Sequence, residues 1–304
     1  MTQLDQVFKK VYPVNEMGRV FTHTTNESVI QAAQLVKKGV IYDLGIERYR
    51  GMPVHPFHPP FEVICYRTPR GLINEKDQEW MEVNNSDNMR ALNEVIFGTT
   101  HTGTHIDAFA HVTCGADNHW YGGFKEETDL GDRGPLKADG SKFLPIFSRG
   151  VLLDIPKYVG VDVLPEHFAI DSDILQKTAE SQGVEVRKGD TVLIRTGYMS
   201  IWPDPECKKY FGSGINLDGA KWLNDRGVIN VGGDNESLEQ IPAVDPNNVH
   251  PVHTFLLIEQ GVHIMEFVDM EQLARDGVYE FLFVAAPLTI RGATGSMINP
   301  LAII

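Results

Sequence analysis

Residues 101–111, His-Thr-Gly-Thr-His-Ile-Asp-Ala-Phe-Ala-His, concentrate three of the 11 histidines of the chain and one carboxylate in a single short window. Imidazole and carboxylate groups are ligands that suit Zn²⁺, Mn²⁺ or Fe²⁺. For any one of these histidines, the alternative is a polar strand end that only satisfies backbone groups. Three histidines and an aspartate around a Gly-Thr turn favour a metal site.

The spacing within this window also constrains the backbone. On a straight strand His101 and Asp107 would stand about 20 Å apart at roughly 3.3 Å per residue. Ligands of one ion lie only about 3–4 Å from each other. The chain must therefore turn sharply, and Gly103 is placed to allow the turn. After it, we predict that Thr104 caps a short helical turn, which would put Asp107 and His111 on one face.

The composition excludes several classes of protein. The 304 residues are 42% hydrophobic, which is enough for a buried core. The formal charge of −14 would repel phosphate backbones and anionic lipid, so we expect a small-molecule substrate and neither nucleic acid nor a membrane as partner. Three widely spaced cysteines, and a first segment of twenty residues without a continuous apolar run, predict a cytoplasmic protein with no secretory signal.

Strand-like and helix-like segments alternate along the second half of the chain. Apolar runs predict strands over residues 151–155, 191–195, 228–231 and 262–267, and periodic patterns predict helices over residues 172–182, 219–226 and 251–260. In the first half, the predicted elements are a helix over 28–38, strands over 40–44 and 94–100, a proline-rich extended segment over 51–61 and a long loop region over 115–150. This alternation indicates an α/β domain, and no linker divides it.

The histidine-rich window resembles the HxGTHxDxPxH signature of the metal-dependent cyclase family, which includes kynurenine formamidase and isatin hydrolase. Further segments resemble that family in the same order, namely Gly189–Gly197, Gly232–Ser237, Pro251–His253 and Gly292–Ser296. The resemblance implies an α/β, single-domain, swivelling β/β/α-type fold over residues 40–304. Residues 1–39 would form an N-terminal helical segment that contacts a neighbouring subunit.

The resemblance also implies a set of site residues. The implied metal ligands are His101, His105, Asp107, His253 and Glu266. The last two complete a second site in dinuclear members, so the implied cofactor is one or two divalent ions, Zn²⁺ or Mn²⁺. His111, the last histidine of the signature, would be the general acid/base. Phe109 stands where the signature has proline.

The activity implied by the resemblance is hydrolysis by metal-activated water. The bond would be an amide, formamide, cyclic amide or lactone of a small aromatic or conjugated substrate, with a C–N bond other than a peptide bond favoured. A lyase or cyclase that works through an enolate is the alternative, and a metal-binding protein without catalysis is a third hypothesis. Relatives complete the site with a neighbour's N-terminal segment, which implies a homodimer or homotetramer.

Several assignments stay open at this level. His250 competes with His253 as a ligand, and His55 and His58 are interpreted as exposed loop residues. Glu236 and Glu239 are interpreted as carboxylates of a solvated loop. The aromatic residues expected to line a substrate pocket are Phe57, Trp80, Phe109 and Tyr121.

Glu266 lies in an apolar strand pattern, where an unpaired buried carboxylate costs several kcal/mol. A salt bridge to Arg195 or Arg291 would remove this cost. The alternative, which we favour, is that Glu266 faces the metal centre.

Overall fold

The strands and helices are taken from a computed structural model, which describes residues 7–81 and 83–304. In these ranges the strands are β1 (Ile41–Asp43), β2 (Glu62–Arg67), β3 (Asn93–Phe97), β4 (His105–Asp107), β5 (Leu130–Gly131), β6 (Gly134–Pro135), β7 (Ile146–Asp154), β8 (Ala169–Ile170), β9 (Thr191–Arg195), β10 (Gly214–Ile215), β11 (Asn230–Gly233), β12 (His263–Glu266), β13 (Glu280–Ala285), β14 (Gly295–Met297) and β15 (Leu301–Ile303). The helices are α1 (Gly18–His23), α2 (Asn26–Ala33), α3 (Pro69–Glu75), α4 (Glu126–Asp129), α5 (Ile155–Val159), α6 (Ser172–Gln182), α7 (Leu217–Asp225), α8 (Pro251–His253, continued by a π-helical turn over Thr254–Glu259) and α9 (Glu271–Asp276). Short 3-10 turns lie at Val14–Glu16, Glu79–Met81, Gly140–Lys142, Tyr198–Ser200 and Pro205–Tyr210.

Nine strands of the described chain form one mixed sheet in the order β1-β15-β13-β7-β9-β11-β12-β4-β14. Its centre, β7-β9-β11-β12, is parallel. The strands on either side of this centre pair antiparallel. The strand β4, which carries part of the histidine-rich window, lies between β12 and β14.

Alternating side chains of the central strands form a separate core on each face of the sheet. Val192 and Ile194 of β9 belong to one core, together with residues of α6 and α7. Leu193 belongs to the other core, together with residues of α9 and β13. This arrangement follows from the period of two along a strand, which sends successive side chains to opposite faces. It explains why these strands are continuous apolar runs in the sequence.

The predicted α/β class is confirmed, and several elements match closely. The helix α6 has the predicted bounds, because Asp171 caps it by accepting a hydrogen bond from the Ile174 N–H at 2.9 Å, and Gly183 ends it with φ +68°. The predicted helix over 28–38 is shorter, since α2 ends at Ala33. The division at residue 39 stays a prediction, and residues 1–6 lie outside the described ranges.

In the part of the chain that the structure covers, no helix has both the length and the apolar character needed to cross a membrane.

Candidate metal centre

Strand pairing positions two of the predicted metal ligands. In the antiparallel pair β4–β12, His105 lies directly opposite Glu266. Residues opposite each other in such a pair have their side chains on the same face, with Cβ atoms about 4.5–5.5 Å apart. The His105 Nε2 atom lies 3.3 Å from Glu266 Oε2. The register of the sheet therefore brings a residue of the histidine-rich window to a carboxylate far along the chain.

The predicted turn at Gly103 is confirmed. Gly103 has φ +58°, a conformation that glycine adopts without steric cost. The turn places His101 Nδ1 3.0 Å from Asp107 Oδ1. Arg48 holds its backbone, since the guanidinium donates to the Thr102 carbonyl at 2.9 Å and to the Thr104 carbonyl.

The predicted helical turn after Thr104 is wrong, because residues 105–107 form the strand β4. The Thr104 hydroxyl donates to the Phe267 carbonyl at 2.5 Å and accepts from the Ile46 N–H at 2.9 Å, so it caps no helix. The neighbouring strands β12 and β14 supply hydrogen-bond partners to β4 from both sides. A tight turn then follows, in which the His111 N–H donates to the Ala108 carbonyl at 3.0 Å.

Asp107 lies at the centre of the cluster. Its Oδ1 atom is 3.7 Å from His105 Nε2, and its Oδ2 atom is 3.7 Å from His253 Nε2. The same His253 Nε2 lies 3.4 Å from Glu266 Oε1. Two groups of potential ligand residues share this aspartate, and within each group the ligand atoms all lie within 4.8 Å of one another. One group is His101, Asp107 and His111, and the other is Asp107, His253 and Glu266.

The buried donors of this cluster fit a divalent metal. Asp107 is 1% exposed, and its 3.0 Å contact with His101 Nδ1 lacks the alignment of a hydrogen bond, so neither carboxylate oxygen nor His101 Nδ1 has a hydrogen-bond partner among the described residues. A buried carboxylate left in this condition costs several kcal/mol. A cation of the Zn²⁺ or Mn²⁺ type prefers imidazole nitrogen and carboxylate oxygen. Such an ion would satisfy all three atoms at once.

Charges within the cluster compensate for its burial. Burial alone would raise the pKa of the Asp107 carboxyl, but the neighbouring imidazoles, His111 foremost, hold that pKa far below its ordinary value. Burial alone would lower the pKa values of His105 and His253, yet neighbouring carboxylates raise both: Glu266 raises the pKa of His105, and Glu239 together with Glu266 raises that of His253. Because an imidazole must lose its proton to bind a metal, metal binding competes here with these protons.

His111 differs from the other imidazoles of the cluster. Its ring stacks on the His101 ring with centroids 4.0 Å apart, and it lines the cavity described below. Burial lowers the pKa of His111 to about 4. Its imidazole is therefore neutral at neutral pH and has a free lone pair to accept a proton.

The far side of the His101 ring is held by the segment that leads into β14. His101 Nε2 lies 3.1 Å from the Thr294 hydroxyl oxygen. A Cβ atom on Gly295 would stand 2.6 Å from His101 Cε1, closer than any real contact of this kind. The glycine at this position thus leaves the space that the imidazole occupies.

Glu239, which the sequence pattern places in a solvated loop, is instead fully buried. Its carboxylate accepts hydrogen bonds from His253 Nδ1, from the Val252 N–H at 3.0 Å and from His250 Nδ1 at 3.2 Å. Burial alone would raise the pKa of Glu239, but the bonds from the two histidines lower it to about 2. Carboxylates that bond the outer nitrogen of a ligand histidine fix its orientation. Glu239 does so for His253, whose Nε2 faces Asp107.

Of the two histidines that compete as ligands, His253 and not His250 reaches Asp107 and Glu266. Glu266 makes no salt bridge to Arg195. The Arg195 guanidinium is instead bonded to Asp154 at 2.9 Å and to Glu271 at 2.8 Å. The favoured sequence-based interpretation, in which Glu266 faces the metal centre, agrees with this arrangement.

A cavity of about 430 Å³ opens onto the cluster. Its wall includes His55 and His58 of the proline-rich segment, which were predicted to be exposed loop residues outside the site. The His58 ring stacks on the His101 ring at a centroid distance of 5.4 Å. The proline-rich segment therefore forms one side of the candidate substrate site.

Of the four aromatic residues predicted to line this cavity, only Phe57 does so. Phe109 is 1% exposed and stacks on His263 at a centroid distance of 4.1 Å, and Tyr121 packs against Phe109 at 4.7 Å. Both belong to or pack against the first core. Trp80 is 62% exposed and lies outside the cavity. The prediction for these three residues is corrected accordingly.

Comparison with protein families identifies the fold. Residues 42–240 match the model of a family described as "Putative cyclase". The chain belongs to this cyclase family. The matched range contains the histidine-rich window and Glu239, and it ends before His253 and Glu266. A search of curated proteins gives no match.

Solved structures of cyclase-like proteins share the fold. One described as a novel cyclase is 29% identical, with 96% of this chain and 95% of that chain covered and a TM-score of 0.82. Isatin hydrolase A from Labrenzia aggregata, solved with benzyl benzoate, is 18% identical over 89% of this chain and 94% of its own, with a TM-score of 0.62. A predicted metal-dependent hydrolase from Bacillus stearothermophilus is 20% identical over 88% and 98% of the two chains, with a TM-score of 0.53. The expected cyclase-family fold, an α/β domain with a curled mixed sheet, is confirmed.

The family is described as one of putative cyclases, which are enzymes, and the structural neighbours share its fold. The His/Asp clusters of the described residues could hold a divalent metal ion.

Proposed function

We propose that the chain is a metal-dependent hydrolase of a small aromatic or conjugated substrate. The bond cleaved would be an amide, formamide, cyclic amide or lactone, with a C–N bond other than a peptide bond favoured. The observation that carries this proposal is the buried Asp107 carboxylate, whose oxygens have no hydrogen-bond partner among the described residues and which lies against imidazoles that line a cavity. A cavity of about 430 Å³ lies within the range of small-molecule sites.

The residues that would hold the metal are His101, His105, Asp107, His253 and Glu266. Asp107 belongs to both ligand groups, so one or two Zn²⁺ or Mn²⁺ ions fit the donor set. When bound, a divalent ion supplies polarisation of a carbonyl and acidification of water. Glu239 keeps the His253 ring oriented for this role.

His111 would serve as the general acid/base. Its neutral imidazole accepts a proton from the attacking water and later donates it to the leaving nitrogen or oxygen. Stacking on His101 restrains the ring, and the cavity gives it access to the substrate. Isatin hydrolase A, which shares the fold, was solved with an ester of two aromatic groups, benzyl benzoate. That ligand supports an aryl substrate for this chain too.

Turnover of a panel of aryl formamides, anilides, cyclic amides and lactones by the Mn²⁺- and Zn²⁺-loaded protein tests the proposal. In H₂¹⁸O, we expect one ¹⁸O atom in the carboxylate of the product, measured by mass spectrometry. A product without ¹⁸O, formed by dehydration or ring closure, would instead establish the lyase or cyclase alternative.

The Glu266→Gln variant is expected to fold normally but to bind metal or turn over substrate at least about tenfold more weakly, because a neutral amide oxygen is a poorer ligand than a carboxylate. Metal affinity by competition with a chelator and kcat/KM provide the measurements. Wild-type values for both would place Glu266 outside the metal site.

We further propose that the chain forms a homodimer or homotetramer through the hairpin of β2 and β3. These strands pair only with each other within the described chain, and a two-stranded sheet alone is marginally stable. Large apolar side chains of this region are exposed on both faces: Val63, Ile64, Tyr66, Trp80, Leu92, Val95, Ile96 and Phe97. An apolar surface of this extent is typical of a protein interface.

Ile96→Lys is expected to convert the oligomer into monomers, because Ile96 is 60% exposed at the centre of the hairpin and a lysine there would be buried without a partner. Light scattering coupled to gel filtration measures the mass. Val244→Lys, at a more exposed position (76%) outside the hairpin, is the control and should leave the mass unchanged. A monomeric wild-type protein would contradict the proposal.

A cytoplasmic location is also proposed. Cys65, Cys114 and Cys207 are all unpaired, as is typical of proteins in a reducing compartment.

A further inference from the structure

Glu236 is a carboxylate of the cavity wall that the metal centre does not use. The other carboxylate of the wall, Glu266, lies against His105 and His253. Glu236 belongs to neither ligand group of the centre. Within the described residues, no lysine or arginine lines this cavity.

The position of Glu236 is fixed by a hydrogen bond from a buried side chain and by the neighbouring backbone. The Tyr198 hydroxyl donates a hydrogen bond to Glu236 Oε1 at 2.6 Å, and Tyr198 itself is 2% exposed. The chain on either side is also anchored. Asp234 accepts hydrogen bonds from the Thr196 and Gly197 N–H groups at 2.8 Å, and Asn235 Oδ1 accepts from the Leu238 N–H at 3.0 Å. A carboxylate on so constrained a loop is preorganised to bind a ligand.

One oxygen of this carboxylate is left for a ligand. Tyr198 bonds Oε1, whereas Oε2 has no hydrogen-bond or ion-pair partner in the described part of the chain. A carboxylate accepts hydrogen bonds and donates none, so its partner must be a donor. The rings of Phe57, Phe211 and Phe267 line the same cavity, and aromatic faces attract cations. An anionic ligand group would meet no lysine or arginine in this wall, as far as the described residues go.

We propose that Glu236 determines substrate specificity by selecting an aryl substrate that carries a protonated amino group. The ammonium donates to the Glu236 carboxylate, while the carbonyl to be cleaved lies at the metal centre. The position of the carbonyl rests on the proposed function. The recognition of the amine is a property of binding alone and is tested separately.

Calorimetric titration at pH 7 of the metal-loaded protein with benzylamine, benzyl alcohol and benzoate provides the test. We expect benzylammonium to bind the wild type at least about tenfold more tightly than benzyl alcohol. In Glu236→Gln this ratio should fall to about two or less, with the affinity for benzyl alcohol unchanged.

Two variants serve as controls. Glu180→Gln removes the same charge from an exposed helix position and should keep the preference, which separates a local effect from the net charge of −14. Tyr198→Phe removes the bond that holds Glu236, together with the weaker bond of the same hydroxyl to Cys207 Sγ at 3.2 Å, so the preference should weaken about threefold while the phenyl ring preserves the packing. Melting curves establish that each variant is folded.

A benzylammonium preference that persists in Glu236→Gln would overturn the proposal, since the amine would then bind elsewhere, for instance at the metal. Equal binding of the three probes to the wild type would overturn it as well. If the preference depends on Glu236 while no amide or lactone is hydrolysed, the proposed function fails and the amine site stands.

Discussion

Replacement of His111 by alanine is expected to lower kcat by about 10²–10⁴ while leaving the metal content unchanged. The half-buried His111 imidazole is neutral at neutral pH and stacks against the His101 ring beside the cavity. It can therefore take a proton from water and return it to the leaving group. Loss of this transfer lowers kcat and kcat/KM together, because the interaction develops only in the transition state.

Metal analysis decides between two roles for this residue. The ligand atoms of His111, His101 and Asp107 all lie within 4.8 Å of one another, so His111 itself is placed to bind the ion. If His111→Ala loses metal in proportion to activity, His111 is a ligand and the acid/base assignment is wrong. His119→Ala, a half-exposed histidine outside the cavity, should retain both metal and activity.

Asp107→Asn is expected to abolish metal binding, because both ligand groups share this one carboxylate. A ligand at 1,000 times its Kd stabilises the native state by about 4 kcal/mol. For a chain of this size, that corresponds to a rise in Tm of about 6 °C. We expect Zn²⁺ or Mn²⁺ to produce such a rise in the wild type and none in the variant, as measured by scanning calorimetry against a chelator-treated sample.

The matched control for this experiment is Asp173→Asn on the exposed face of α6, which should keep the metal-dependent rise. A variant at position 107 that still responds to the metal like the wild type would show that the ion binds elsewhere. In that case the unsatisfied Asp107 oxygens would need another partner.

The sequence predicts much of this centre because its pattern is local. Three histidines and Asp107 fall in one window, and Gly103 marks the turn. The alternation around Glu266 identifies a strand on which Glu266 shares an otherwise apolar face with Ile264 and Val268. The conformation of residues 105–107 is not predictable in the same way. A strand of three residues has no periodicity of its own, and the partners of β4 come from β12 and β14.

Tertiary contacts also determine the positions of those residues that the sequence patterns predict wrongly. Phe109 is buried because Gly18 has no Cβ, which would otherwise stand 2.3 Å from the Phe109 ring. In the sequence Glu239 resembles an ordinary loop carboxylate, because only the fold brings His253 into contact with it. The signal that favours a role for Glu239 is its place after β11, since the carboxyl ends of parallel strands carry binding loops.

The pairing of β4 with β12 also bears on whether folding or metal binding comes first. Thr104 bonds Phe267 across 163 positions, and His101 meets Thr294 across 193. Closing such long loops is entropically costly, and contacts of this kind form late in folding. During synthesis the histidine-rich window leaves the ribosome long before Glu266 is made. We therefore expect the ion to be acquired by the folded apoprotein, with metal uptake following collapse of the sheet and not nucleating it.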